Sequence, residues 1–170
     1  MPADAPIDPG TAIGHVHLRV SDLERSVRFY TEAFGFEVMQ RMGGQAAFLS
    51  AGGYHHHLGL NTWESCGGGP PAPGSTGLYH FALLYPSRPA LARAFQRLVD
   101  RGVPIDGAAD HGVSEAIYLH DPDGNGIEIY RDRPRDEWRK GSDGRVRMGA
   151  EALDLAALLR LAADPAGPVA

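Results

Sequence analysis

All eight histidines lie between residues 15 and 120. Two of them, His15 and His80, head similar alternating segments, HVHLRV and HFALLY. In the first, Val16, Leu18 and Val20 alternate with His15, His17 and Arg19, a period of two that places the aliphatics on one strand face and the polar groups on the other. Glu128 sits in GIEIY, where Ile127 and Ile129 face one way and Glu128 and Tyr130 the other. A lone carboxylate on an enclosed strand face needs a partner, because burying an unpaired charge is costly. A cation held by His15 and His80 would be that partner. Two imidazoles and one carboxylate with open positions form the facial triad of non-haem Fe(II) sites, and the same donors suit Mn, Zn or Ni. Singly, each residue fits a solvent-facing polar strand; the equivalent positions of the two histidines favour the shared cation.

The run His55-His56-His57 precedes LGLNTW. If Leu58 and Leu60 face the helices, His57 and His55 face the other side of the strand. His57 could then be a fourth ligand, with His56 or His55 as an acid–base group near pH 7. Equally, the run could be a surface histidine cluster. His111 and Tyr118 flank the turn GVSE and, beside a metal, could hydrogen-bond a phenolate or oxyanion. DPDGNG at Asp121–Gly126 matches the opening of an EF-hand loop. Its flanks, AIYLH and IEIY, are strands rather than helices, so it reads as a tight hairpin turn. Cys66 has no adjacent histidine, so a nucleophile role is not expected of it, though it could be a reactive surface thiol.

These residues must be positioned by a short list of elements. After the strand at Thr11–Val20, Ser21 and Glu24 form a capping box for a helix over Asp22–Ala33 that buries Leu23, Val27, Phe29 and Tyr30. Gly35 stops it. Strands follow at Phe36–Met42, Ala46–Ser50 and His55–Trp63, separated by glycine pairs. Glu64–Gly77 is a Gly/Pro-rich linker. The pattern then restarts with a strand at Leu78–Tyr85, a helix capped by Ser87 and running to Arg101, and strands at Val103–Asp110, Glu115–His120 and Gly126–Tyr130. His15 corresponds to His80 and Gly35 to Gly102, which marks an internal repeat. The fold class is therefore α+β. Two βαβββ modules, residues 11–63 and 78–131, join edge to edge in a curved, open, mixed β-sheet barrel around a metal-binding cavity. Residues 132–170 form a C-terminal extension with a short helix, Leu155–Ala163, capped by Asp154. That helix packs on the body or on a second subunit.

Composition agrees. Gly (22) and Pro (13) are plentiful among 170 residues, which suits many turns and short strands better than a helical bundle. A net charge of −5 lacks the basic footprint of a nucleic-acid binder. No apolar run is long enough to span a membrane. Met1–Gly10 lacks the features of a secretory signal, and the single cysteine excludes an intramolecular disulfide, so a reducing cytoplasm is expected.

The segments GHVHLRVSDLERSVRFYTEAFGF, GGYHHHLGLNTW, LYHFALL and SEAIYLHDPDGNGIEIYRDRPRDEW resemble the vicinal oxygen chelate superfamily, which holds glyoxalase I, fosfomycin and bleomycin resistance proteins and extradiol dioxygenases. The likeness covers about residues 12–140 and is nearest to the catechol-2,3-dioxygenase-like branch; the final LDLAALL also looks like that branch's tail. The resemblance implies metal ligands at His15, His80 and Glu128, a fourth glyoxalase-type ligand at His57, an acid–base residue at His56, and substrate contacts from His111 and Tyr118. It implies Fe(II) chemistry on a catechol-like aromatic substrate with O₂. Two departures stand out. The loop from His111 to Tyr118 is shorter than in the large ring-cleaving enzymes, and this chain has two modules where those usually have four. The modules pair either within one chain or across a homodimer; a swapped arrangement would put His15 and Glu128 of one site on different subunits. A glyoxalase-type lyase or isomerase using Ni or Zn is the runner-up, weakened by His57 standing where a carboxylate ligand is normal. A metal-free drug-binding protein is the third option, and the three ligands argue against it.

Overall fold

The computed structural model describes residues 6–163. The first five residues of the segment read as carrying no secretory signal, and residues 164–170 of the extension, lie outside the described residues. The first module runs β1 (Val16–Arg19), α1 (Leu23–Phe29), β2 (Glu37–Met42), β3 (Ala46–Ser50) and β4 (Leu58–Asn61). The second runs β5 (Phe81–Leu84), α2 (Arg88–Asp100), β6 (Gly107–Asp110), β7 (Ser114–His120) and β8 (Gly126–Asp132). A two-residue strand β9 (Glu151–Ala152) and helix α3 (Leu155–Ala162) follow.

The modules share one topology. The first sheet is ordered β1-β4-β3-β2 and the second β5-β8-β7-β6, extended at its far edge by β9. Each opening strand pairs in parallel with the last strand of its own module, β1 with β4 and β5 with β8. The expectation of one continuous sheet is corrected: among the described residues the two sheets are not hydrogen-bonded to each other. They meet through their helix sides instead. Leu18, Val20, Leu23, Val27 and Tyr30 share one buried cluster with Phe81, Leu91, Phe95, Leu98, Ile127 and Ile129. Full burial of each large aliphatic contributes roughly 1.5–3 kcal/mol, so this shared core favours the back-to-back arrangement. The faces bearing His15, His17 and Arg19, and the large side chains Trp63 and Leu84, are left exposed.

Two local expectations change. The residue capping α1 is Asp22, whose carboxylate accepts from the Arg25 N–H at 3.0 Å, not Ser21. Ser21 instead bonds Asp123 of the β7–β8 turn through its N–H (3.1 Å) and hydroxyl (2.6 Å), while Glu24 pairs with Arg41. The predicted helix also changes character: Tyr30–Phe34 forms a π-helical turn ending at Gly35, whose φ of 81° suits a residue without Cβ. Phe29 is half-buried rather than buried.

DPDGNG is a hairpin turn, as expected. Asp121 Oδ1 accepts from the N–H groups of Asp123 (2.9 Å) and Asn125 (2.8 Å). Helix α3 packs on α2 through the buried Leu158.

Candidate metal and catalytic site

His80 stands one residue before β5, and the parallel register opposes Phe81 to Ile127 and Ala82 to Glu128. This brings His80 Nε2 to 2.9 Å from Glu128 Oε2. Two ligands at right angles about an ion with bonds of about 2.1 Å lie roughly 3 Å apart, so this pair has the spacing of two neighbouring ligands. Tyr118 lies directly opposite Glu128 across the β7–β8 ladder, which points both side chains the same way. The Tyr118 hydroxyl is 3.3 Å from Glu128 Oε1 and 2.7 Å from His111 Nε2. Burial, and then the Glu128 carboxylate, push this phenol up to about 12, so it keeps its proton at neutral pH. His111 therefore reaches Tyr118 despite the short loop, and its Nδ1 donates to the Gly149 carbonyl at 2.6 Å.

Glycine 126 shapes the same face. A Cβ there would fall 2.1 Å from the Tyr79 carbonyl oxygen and 3.0 Å from His80 Cβ, so only glycine lets the strand carrying His80 come this close. A cavity of about 280 Å³ lies here, lined by Tyr79, His80, Tyr118, His120 and Gly126. His120 is paired with Asp106 at 2.5 Å on its wall.

The first module carries a second cluster. His15 meets His56 at a tilt of 48° with ring centroids 4.4 Å apart, and His56 meets Phe48 edge-on at 5.1 Å. His55 Nδ1 is 2.8 Å from His56 Nδ1. Desolvation, and then the neighbouring imidazoles led by His15, hold His56 below the usual histidine range, which favours its neutral form. His57 Nδ1 contacts the Ser50 hydroxyl at 3.1 Å, and His57 lines a different cavity of about 440 Å³ with Ala82, Leu84 and Tyr85.

Within one chain the structure thus brings His80, Glu128, Tyr118 and His111 together, and separately His15 and His56, with His57 on another cavity. Among the described residues no three His, Cys, Asp or Glu side chains converge closely enough to hold an ion. The His15–His56 cluster and the His80–Glu128–Tyr118–His111 cluster are separate within the chain. The sequence reading missed Asp106, His120 and Gly149. His120 had a signal, since it shares strand parity with Tyr118. Asp106 and Gly149 had none, because their contacts are long-range and non-periodic.

The profile of the Glyoxalase/Bleomycin resistance protein/Dioxygenase superfamily matches residues 12–129, and the chain belongs to that superfamily. A catechol-2,3-dioxygenase of Bacillus subtilis (strain 168) is 44% identical over 158 residues, which cover 93% of this chain and 54% of that protein. A biphenyl-2,3-diol 1,2-dioxygenase of Rhodococcus globerulus is 30% identical over 71% of this chain and 63% of its own length. The chain therefore spans about half to under two thirds of these relatives. The crystal structure of a lactoylglutathione lyase from Agrobacterium tumefaciens matches with a TM-score of 0.57 and 25% identity, covering 73% of this chain and 96% of the other. The superfamily's name spans glyoxalases, dioxygenases and bleomycin resistance proteins. No helix among the described residues is long and apolar enough to cross a membrane.

Proposed function

We propose that the chain is an Fe(II)-dependent extradiol dioxygenase that opens a catecholic ring with O₂. We further propose that its site is completed when the outward face of the second module meets the first module of another copy. The observation that carries this reading is the continuous polar chain His80–Glu128–Tyr118–His111 on one exposed face. The 44% identity to a catechol-2,3-dioxygenase supports it. His80 and Glu128 would hold the ion, and His15 would complete the set from the facing module, while His57, expected as a fourth ligand, lies on another cavity and is left out of the set. When bound, the ion would supply Lewis acidity toward adjacent diol oxygens and the redox link to dioxygen.

The chain's own residues do the rest. The Tyr118 hydroxyl donates to His111 Nε2 through the 2.7 Å contact, so as its oxygen takes a proton from the docking diol its own proton passes to His111. His56, held neutral, accepts the diol proton as the ring docks. The cavity over Gly126, walled by Tyr79 and Tyr118, receives the ring. A cytoplasmic setting fits the exposed thiol of Cys66.

Anaerobic reconstitution with Fe(II), followed by catechol and O₂, tests the proposal. The expected result is oxygen uptake with a yellow ring-opened product. Bound iron with no uptake on any catechol would end the dioxygenase reading, and preferential Ni or Zn binding would point to a lyase.

A further inference from the structure

We infer that the C-terminal extension is a positioning part of the candidate site: the Gly149 carbonyl fixes which nitrogen of His111 carries the proton and so keeps a bare Nε2 against Tyr118. The catalytic meaning of this inference rests on the proposed dioxygenase reading; the geometry does not. A carbonyl oxygen can only accept, so the 2.6 Å contact requires a proton on His111 Nδ1. Neutral imidazole has a single N–H, which leaves Nε2 with a lone pair. The Tyr118 hydroxyl has one proton and two acceptors, His111 Nε2 at 2.7 Å and Glu128 Oε1 at 3.3 Å. The shorter contact to His111 is the stronger, and the longer one leaves the Glu128 carboxylate only weakly engaged by the phenol.

The extension is built to hold this contact. Gly149 N–H donates back to the His111 carbonyl at 3.0 Å, which makes the pairing reciprocal. Strand β9 pairs with β6, opposing Ala152 to Ala109 and Glu151 to Asp110, one residue before His111. Arg139 bonds Glu151 and lies over Gly112. From the other side, the Arg133 N–H donates to the Val113 carbonyl at 2.8 Å, and its guanidinium pairs with Asp110 at 2.6 Å. The segment from Asp110 to Val113 is therefore clamped on both flanks by residues 133–152.

The test is nitrogen-15 NMR of the histidine side chains in the full chain without added metal, with His111→Gln assigning the signal. The expected spectrum has His111 protonated at Nδ1 and bare at Nε2. Gly149→Pro removes the returning N–H at an exposed position. It should shift His111 toward a mixture of tautomers while circular dichroism is unchanged. In the iron-loaded protein it should lower kcat roughly tenfold with KM changed less than twofold. A wild-type His111 protonated at Nε2, or a Gly149→Pro protein that keeps the Nδ1–H form, overturns the inference. An Nδ1–H tautomer in a protein with no oxygenase activity would sink the dioxygenase reading and leave this inference standing.

Discussion

The buried hydroxyl of Tyr30, in the π-helical turn of the first module, donates at 2.9 Å to Asp121 Oδ2 in the β7–β8 turn of the second. Burial, and then the adjacent carboxylate, push this phenol well above the usual tyrosine range, so it remains a donor. The contact ties the two modules together beside their shared core. Tyr30→Phe keeps the ring's packing and removes the donor. We expect a loss of about 1.5–3 kcal/mol in denaturant unfolding, as for other hydrogen bonds to charged groups, with Fe(II) affinity unchanged.

Asp123, beside it in the turn, accepts from Ser21, Arg25 and Ser26 of the first module. Burial alone would raise its carboxyl, but the Ser21 and Arg25 bonds outweigh burial and hold it below its ordinary value of 3.8. A depressed carboxyl stabilises the fold above that value, and the contribution fades as pH falls through the lowered one. Asp123→Asn should therefore be less stable than wild type at neutral pH. The gap should narrow as pH falls below about 4, read from unfolding midpoints measured at decreasing pH.

At Gly126 an added methyl would meet the Tyr79 carbonyl and His80 Cβ. Gly126→Ala should cost about 1–3 kcal/mol through overpacking and move His80 away from Glu128. Thermal melting would read the first effect. Weaker Fe(II) binding would read the second.

Because His15 and Glu128 do not share a site within one chain, two inactive variants should complement each other. In a dimer with two shared sites, mixing His15→Ala with Glu128→Gln after joint unfolding and refolding should leave one intact site in each mixed dimer. Activity should return to about a quarter of wild type, as expected for closed two-fold assembly. No recovery would favour sites completed some other way.

Much of this arrangement was legible in the sequence. Period-two alternation told which face each residue takes, so His80, Glu128 and Tyr118 emerged on one face, and the repeat in the sequence matches the identical order of the two sheets. Parity does not say which module a face meets. That is why His15 was grouped with His80 although the shared helix-side core turns their faces apart. The choice between Ser21 and Asp22 as the α1 cap was equally hidden, because both side chains can cap and the deciding partner, Asp123, is 102 residues from Ser21. Gly149 was invisible for the same reason, since its bond to His111 spans 38 residues of irregular chain.

The proposed chemistry requires one cation gripped by side chains from both kinds of module. Anaerobic Fe(II) titration of the wild-type, Glu128→Gln and His15→Ala proteins tests it most directly. The expected result is one tight ion per chain in the wild type and a loss of roughly 100-fold or more in affinity in each variant. Wild-type affinity in the His15→Ala protein would contradict it.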